Sequence, residues 1–267
     1  MPGPLIFLLI VAACGALDIV LHMAGGDLMP MPSAFSALVN RFGFGTVVMV
    51  WIALAFTGMG LLFLFWARRM TGSGRAKGLR YGLALGLMIL IAMFEGVGLL
   101  GTPLIGELAM GLADAVPIAL MIILLGWTLA PDSANADARG GLSVLPVLVV
   151  FALVFGLGRT GVQLLGLIES GLAERVLPSL IWPFAMGAAI GVLFVAVTDA
   201  LRDLSRVSAA LAFGLGVFGA NWALFMNFVP MVFPGALPDT ALRVGLDILL
   251  VTGAGLLLGA RRLHAAG

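Results

Sequence analysis

The sequence has few of the residues that most enzymes and metalloproteins use for chemistry. It contains one cysteine, Cys14, one lysine, Lys77, and two histidines, His22 and His264. A single cysteine excludes an intrachain disulfide, a Cys-x-x-Cys redox pair and a cysteine-based metal site. We interpret Cys14 as a small apolar residue inside a helix.

These shortages also argue against several activities of membrane proteins. The two histidines fall on opposite sides of the predicted bundle, so they cannot both ligate one haem. Lys77 falls in a predicted loop, away from the place of a retinal Schiff base. No histidine or lysine is placed to activate a serine at membrane depth, and no Gly-x-Gly-Asp string indicates an aspartyl protease. We therefore expect neither an enzyme nor a bound cofactor.

A methionine-containing first loop is the one sequence feature that suggests a metal. Met29 and Met31 follow His22, and thioether and imidazole ligands suit Cu(I). Three methionines with Met23 are few in a chain that has 14. We expect no metal site from this pattern.

Charge is scarce and apolar residues are abundant. Only 10% of the 267 residues are charged and 62% are hydrophobic, with a mean hydropathy of +1.18. Soluble domains carry about 25% charged residues, so the solvent for this chain must be largely lipid. The net charge of +1 gives no basis for binding nucleic acid. The composition predicts an integral membrane protein whose main partner is the lipid bilayer.

Apolar segments of membrane-spanning length predict the fold. A spanning helix needs about 20 mainly apolar residues, and eight segments satisfy this requirement. We therefore expect an all-α, polytopic membrane helix bundle. The predicted helices 1 to 8 cover residues 4–24, 45–66, 80–101, 108–130, 143–166, 179–200, 207–229 and 241–260.

Basic residues in the loops predict the orientation, because cytoplasmic loops are enriched in Lys and Arg. One side of the predicted bundle holds ten basic residues, whereas the other holds Arg41, Arg175 and Arg243. Both termini are then cytoplasmic, and the low-lysine composition suggests a bacterial inner membrane. The ten residues are Arg68, Arg69, Arg75, Lys77, Arg80, Arg139, Arg202, Arg206, Arg261 and Arg262.

Short matching strings predict an internal repeat of four helices. Residues 83–87 (LALGL) match 211–215 (LAFGL), and residues 58–63 (GMGLLF) resemble 189–194 (AIGVLF). Asp114 and Asp247 each lie eleven residues before a Leu-Gly pair. The order of the matches predicts a first repeat over 1–130, a cytoplasmic linker over 131–142 and a second repeat over 143–267. Two units with an even number of helices share one orientation, as in transporters with parallel repeats.

Ionisable residues within spanning helices are the candidates for a site, because such residues are costly unless they face a cavity or a partner. In the predicted topology they occupy a layer about 10 Å thick toward the non-cytoplasmic side, given a rise of 1.5 Å per residue. Asp199, near the other end of helix 6, is the exception. The predicted substrate- or ion-binding residues are Asp18, His22, Glu95, Asp114, Arg159, Gln163, Asn221 and Asp247.

The repeat places Asp18 opposite Arg159, so the two could pair across the axis between the halves. Asp18 and Glu95 are then candidates for proton coupling, and Arg159 binds an anionic group or a carboxylate. For Asp114 and Asp247 a structural reading stays open, because carboxylates at helix N-terminal ends complement the helix dipole.

Two functions remain open at this point. The first is a transporter of a small polar solute, an ion or protons with a polar site in the outer half of the bundle. The second is a non-catalytic structural or assembly subunit that packs against a membrane protein partner or a second copy of itself. Short loops and the lack of room for a soluble domain fit both.

Overall fold

The described part of the chain contains eight long helices. A computed structural model describes residues 3–28, 34–133 and 143–264, and it contains no strand within those ranges. All eight helices are long and apolar enough to cross a membrane. They are α1 Gly3–Gly25, α2 Phe44–Ala67, α3 Gly74–Leu99, α4 Leu104–Thr128, α5 Val144–Leu164, α6 Val176–Leu201, α7 Arg206–Val232 and α8 Leu237–His264.

The surface of the bundle is apolar, and its core is aromatic. Large side chains such as Leu5, Leu9 and Leu249 are more than half exposed, whereas Phe56 and Phe213 are fully buried. Soluble monomers rarely expose wide apolar patches, so this surface belongs in lipid. The all-α, multi-pass membrane architecture expected from the sequence is confirmed.

Glycines allow the closest contacts between neighbouring helices. In the α3–α4 pair, a Cβ added to Gly78 would lie 2.9 Å from the Cα atom of Gly126. In the α5–α6 pair, a Cβ added to Gly187 would lie 2.5 Å from the carbonyl oxygen of Phe151. Small residues bring helix backbones together in membranes, where packing rather than hydrophobicity drives association.

The helix contacts form two groups that meet along two seams. Helix α1 packs against α2 and α4, and α5 packs against α6 and α8. Between the groups, α2 contacts α7 and α3 contacts α6. At these seams Trp51 of α2 donates to the carbonyl oxygen of Leu224 at 3.2 Å, and Trp182 of α6 donates to that of Ile91 at 2.8 Å.

Two of the helices are irregular. Helix α3 is interrupted at Phe94, and its last turn, Glu95–Leu99, begins with the candidate residue Glu95. Helix α7 contains a π-helical segment, Ala212–Gly219. The indole N–H of Trp66 donates to the carbonyl oxygen of Gly216 in that segment at 3.2 Å. Such π segments are rare and occur frequently at functional sites.

Helix α3 begins earlier than the sequence predicts. Its first residue is Gly74 rather than residue 80, because Ser73 caps the helix by accepting a hydrogen bond from the Ala76 amide at 3.3 Å. Lys77 therefore lies in the helix and not in a loop. It is fully buried, and its Nζ donates to the carbonyl oxygen of Pro131 at 2.6 Å.

Helices α4 and α8 also begin four residues earlier than predicted. Glu107 and Asp239 occupy their first turns, where carboxylates complement the helix dipole. Asp114 and Asp247 lie ten residues beyond the first residue, about 15 Å along the axis at 1.5 Å per residue. The alternative that these two aspartates sit at helix N-termini is therefore wrong.

Candidate functional site in two buried polar clusters

Most of the predicted site residues gather at one end of the bundle, which we call the polar end. At this end α1, α3 and α5 finish while α4 and α8 begin. Two separate groups form there. The arginine cluster comprises Glu95, Arg159, Arg243 and Asp247, and the histidine cluster comprises Asp18, His22 and Asp114.

Arg159 is the centre of the arginine cluster and joins three helices. Its Nη2 lies 3.1 Å from Oε1 of Glu95 on α3, and its Nε lies 3.0 Å from Oδ1 of Asp247 on α8. Arg159 and Asp247 are both fully buried. A buried ion pair offsets its desolvation only with good geometry and further hydrogen bonds.

Arg243 supplies a second guanidinium that sequence reasoning missed. Its Nη1 lies 2.9 Å from Oε1 of Glu95, its Nη2 donates to the carbonyl oxygen of Glu169 at 2.6 Å, and its Nε pairs with Asp239. From the sequence, Arg243 was considered only as one of the basic residues that predict the orientation. Its four-residue spacing from Asp239 and Asp247 was the available signal, because such residues share one helix face.

Two tryptophans complete the surroundings of Arg159. The indole N–H of Trp222 donates to Oδ2 of Asp247 at 3.0 Å. The Cζ atom of Arg159 lies 5.3 Å from the ring centroid of Trp182, within the range of a cation–π contact. The four members of the cluster carry two positive and two negative formal charges, and Asp239 adds a third carboxylate beside Arg243.

A small cavity borders the arginine cluster. Its volume is about 10 Å³, and its lining includes Glu95, Gln163, Ser179 and Trp182. This is close to the smallest space that holds one water molecule. The Gln163 Oε1 and Ser179 Oγ atoms are buried without a hydrogen-bond partner among the described residues. The cavity thus offers polar atoms to a small guest beside the ion pairs.

The histidine cluster joins α1 to α4. The Nδ1 atom of His22 lies 3.4 Å from Oδ2 of Asp18, and its Nε2 lies 3.7 Å from Oδ1 of Asp114. Both aspartates are buried, whereas about a third of the His22 side chain is exposed. Two carboxylates here face one imidazole, and among the described residues no guanidinium pairs with either of them.

The predicted pair between Asp18 and Arg159 does not form. Asp18 instead lies beside His22, which also faces Asp114 on α4, whereas Arg159 pairs with Glu95 on α3 and with Asp247 on α8. Asn221 is also separate from both clusters, since its Nδ2 donates to the hydroxyl of Tyr81 at 2.9 Å. Tyr81 lies about 21 Å along α3 from Glu95 at 1.5 Å per residue.

Asp199 lies at the opposite end of the bundle, as the sequence indicates. Its Oδ2 accepts hydrogen bonds from the amide and hydroxyl of Thr71 at 2.8 and 2.7 Å, and lies 3.1 Å from Nη2 of Arg80. These contacts tie the end of α6 to the α2–α3 connection. Met29, Met31 and most of the 131–142 linker fall outside the described residues.

The fold and the clusters define a multi-pass α-helical membrane protein with buried ionisable groups at one end. No protein-family model matches the chain, and no curated protein or solved structure matches it either.

Proposed function

We propose that the chain is a transporter of a small polar solute or ion, not an enzyme, in a bacterial inner membrane. The observation that carries this proposal is the arginine cluster beside its cavity. Two guanidiniums and two carboxylates lie inside a membrane bundle, next to buried polar atoms without partners among the described residues. Ionisable residues at such depth usually mark a solute, ion or proton path.

The roles of the residues follow from their positions. Glu95 belongs to the cavity wall and touches both arginines, so it is the residue that exchanges a proton in this proposal. Arg159 and Arg243 hold its carboxylate or an anionic group of the solute in turn. Gln163 and Ser179 provide neutral hydrogen bonds to the guest.

The proposal includes two parallel four-helix repeats, and helix packing supports them. Gly86 of α3 approaches Ala119 of α4, and Gly214 of α7 approaches Thr252 of α8. The two contacts keep the register of the sequence match, because each partner follows the aspartate of its helix by five residues.

The seams between the helix groups support the same relationship. Trp51 lies seven residues before the string 58–63, and Trp182 lies seven residues before its match, 189–194. Both indoles donate to a backbone carbonyl on the other group. An axis along the membrane normal that exchanges the halves would convert the α2–α7 seam into the α6–α3 seam. A solute path between such halves is the arrangement of parallel-repeat transporters.

The proposal places the polar end outside the cytoplasm, on the basis of the loop charges. Cysteine labelling tests this orientation and the wetness of the cavity together. In a Cys14→Ala background, Gln163→Cys should react with a membrane-impermeant maleimide added to the outside of cells. Leu249→Cys, which faces lipid, is the matched control and should stay unlabelled. Labelling of Gln163→Cys only after the membrane is opened would contradict the orientation.

Proton flux in proteoliposomes tests transport itself. Vesicles that contain a pH-sensitive dye would receive inorganic phosphate, an amino-acid mixture or Zn²⁺ from outside in turn. We expect at least one addition to move protons several-fold faster than in protein-free vesicles, and Glu95→Gln to abolish the difference. Glu107→Gln is the control, because Glu107 lies on α4 and accepts a hydrogen bond from the Thr102 hydroxyl. This variant should behave as wild type. Flux equal to that of empty vesicles in every condition would exclude proton-coupled transport of these solutes.

The alternative is a structural subunit of a membrane complex, and one observation favours it. The arginine cluster satisfies most of its own charge across α3, α5 and α8, as an interhelical clamp would. Purification in a mild detergent discriminates the two functions. A stoichiometric second protein supports the subunit. A lone chain or homo-oligomer, together with maleimide labelling of the Gln163→Cys variant, supports the transporter.

A further inference from the structure

We propose that Asp18, His22 and Asp114 bind a divalent transition-metal ion of the class of Zn²⁺ and Mn²⁺. This inference rests on the proposed function only in treating the ion as a cargo or coupling ion. The metal site itself is argued from the histidine cluster. It departs from the expectation of no metal, because its ligands lie on two helices that are far apart in the sequence.

The ligand atoms are close enough to share one ion. One atom from each of the three side chains lies within 4.8 Å of the other two. Around a tetrahedral ion with bonds of about 2.0–2.2 Å, ligand atoms lie about 3.4 Å apart. In the proposed bound state, rotation of the three side chains brings the ligand atoms to that spacing.

The imidazole of His22 is oriented as a metal ligand. Its Nδ1 lies 3.0 Å from the backbone carbonyl oxygen of Asp18, so a protonated Nδ1 donates there. That tautomer leaves the lone pair on Nε2, which lies 3.7 Å from Asp114. Histidines that bind metals usually donate their other ring N–H to a carbonyl or carboxylate, which fixes the ring.

The Asp18 carboxylate provides an independent sign that a ligand is needed. Asp18 is 1% exposed, and its Oδ1 has no hydrogen-bond partner among the described residues. A buried carboxylate oxygen without a partner is costly. An ion bound by this carboxylate would satisfy the oxygen that α1 and α4 leave unpaired.

The arginine cluster shows by contrast what the histidine cluster lacks. Gly15 of α1 packs on α2 and Gly156 of α5 packs on α6, which supports the alignment of α1 with α5. In this alignment Arg159 stands where α1 has Asp18. Arg159 is a fixed cation beside Asp247 in one half, whereas among the described residues no arginine or lysine takes that place beside Asp114 in the other. A bound cation would take that place.

The donor set selects the class of ion. Mg²⁺ and Ca²⁺ prefer all-oxygen ligands, whereas one imidazole with two carboxylates suits Zn²⁺, Mn²⁺ or Fe²⁺. Three protein ligands leave a coordination position open for water or another ligand. The partial exposure of His22 leaves one side of the site open for entry of the ion.

Titration of the purified protein tests the site. Full-length protein in detergent, freed of metal by a chelator, would be titrated with Zn²⁺ in a calorimeter, with Mg²⁺ as the contrasting ion. We expect one Zn²⁺ per chain with at least about tenfold tighter binding than Mg²⁺. His22→Gln and Asp114→Asn should each weaken Zn²⁺ binding by about 100-fold, while Glu107→Gln on the same helix as Asp114 should leave it unchanged.

Each outcome has a definite meaning. Because His22 is partly exposed, His22→Gln should keep its fold even if Asp114→Asn does not, and the helical circular dichroism of each variant checks this. Unchanged Zn²⁺ affinity in folded His22→Gln, or absence of binding to wild type, overturns the metal site. Zn²⁺ binding without proton flux would leave the site standing and count against transport. Proton flux that depends on Glu95, in a protein that does not bind Zn²⁺, would support transport and overturn the metal site.

Discussion

The two polar clusters both lie at the polar end of the bundle but handle their charge differently. In the arginine cluster, Arg159 and Arg243 face Glu95 and Asp247 at distances of 2.9 to 3.1 Å. In the histidine cluster, Asp18 and Asp114 share only His22 among the described residues, at 3.4 and 3.7 Å. A buried charge must be paired, neutralised or bound to an ion. The first cluster pairs both guanidiniums with carboxylates, although the Arg159 Nη1 atom has no hydrogen-bond partner among the described residues. The second offers its two carboxylates a single imidazole.

This difference separates stability from binding. Partners within the chain stabilise the arginine cluster, and removal of one partner leaves another charge buried without its counter-charge. The histidine cluster carries an excess of negative charge, and removal of a carboxylate relieves it. The same kind of substitution should therefore have opposite signs in the two places.

The largest effect is expected from Arg159→Ala. Because Asp247 would remain fully buried without its cation, the free energy of unfolding should fall by about 3–5 kcal/mol, as for other broken buried pairs. Membrane insertion should persist, since a polar residue is removed. Thermal unfolding in detergent measures the loss.

A double variant sharpens this prediction. Arg159→Met with Asp247→Leu removes both charges, and Glu95 keeps Arg243. Apolar replacement of a whole buried pair is often neutral, so most of the stability should return. If Arg159→Met alone is as stable as wild type, the arginine cluster does not stabilise the fold as described.

The opposite signs can be compared most directly at Asp114 and Asp247. Asp247→Asn leaves Arg159 with one carboxylate fewer and should lower the free energy of unfolding by about 3 kcal/mol. Asp114→Asn in metal-free protein should raise it by about 1 kcal/mol, the scale of the repulsion between two like charges a few ångströms apart in water, because the Asp18 and Asp114 ligand atoms lie within 4.8 Å of each other. Unfolding followed in the presence of a chelator checks both.

Zn²⁺ should reverse the second result. A ligand that binds only the folded state stabilises it by about 2.7 kcal/mol at about 100 times its dissociation constant. Wild type should gain this stability and Asp114→Asn should not. Equal melting shifts in both proteins would place the Zn²⁺ elsewhere.

The smallest expected effects should be alike at the two seams. Trp51→Phe and Trp182→Phe each remove one indole N–H that donates to a backbone carbonyl across a seam. Loss of such a hydrogen bond costs about 1 kcal/mol. A clearly larger loss for Trp182→Phe would show that its contact with Arg159 contributes beyond the hydrogen bond.

Much of the fold could be predicted because lipid imposes a simple pattern. Each spanning helix must satisfy its own backbone hydrogen bonds and present about 20 apolar residues, so the segments are visible in the sequence. Helix starts were less visible. Ser73 extends α3 to Gly74 by a capping hydrogen bond, and this places Lys77 inside a helix rather than in a loop.

The candidate site was predicted less well. Ionisable residues are costly in lipid, and few occur in spanning helices. This property identified the candidate residues as a group, Asp18, Glu95 and Arg159 among them. Their partners were not visible, and the predicted Asp18–Arg159 pair was wrong. Arg243 was overlooked because a residue near a helix start looks like a loop charge until its neighbours are known.

By itself, the sequence determined that the chain is all-helical, has eight helices of membrane-spanning length and carries few ionisable groups within them. These properties depend on the composition and the length of each apolar segment, and both are set by residues that are close together in the sequence. Only the tertiary structure decided that the ionisable groups divide into an arginine cluster and a histidine cluster. Contacts between α1 and α4, and among α3, α5 and α8, join residues far apart in the chain, and close helix packing sets those contacts. The same packing leaves Asp18 buried with an oxygen that no described residue pairs, while Arg159 is held between two carboxylates.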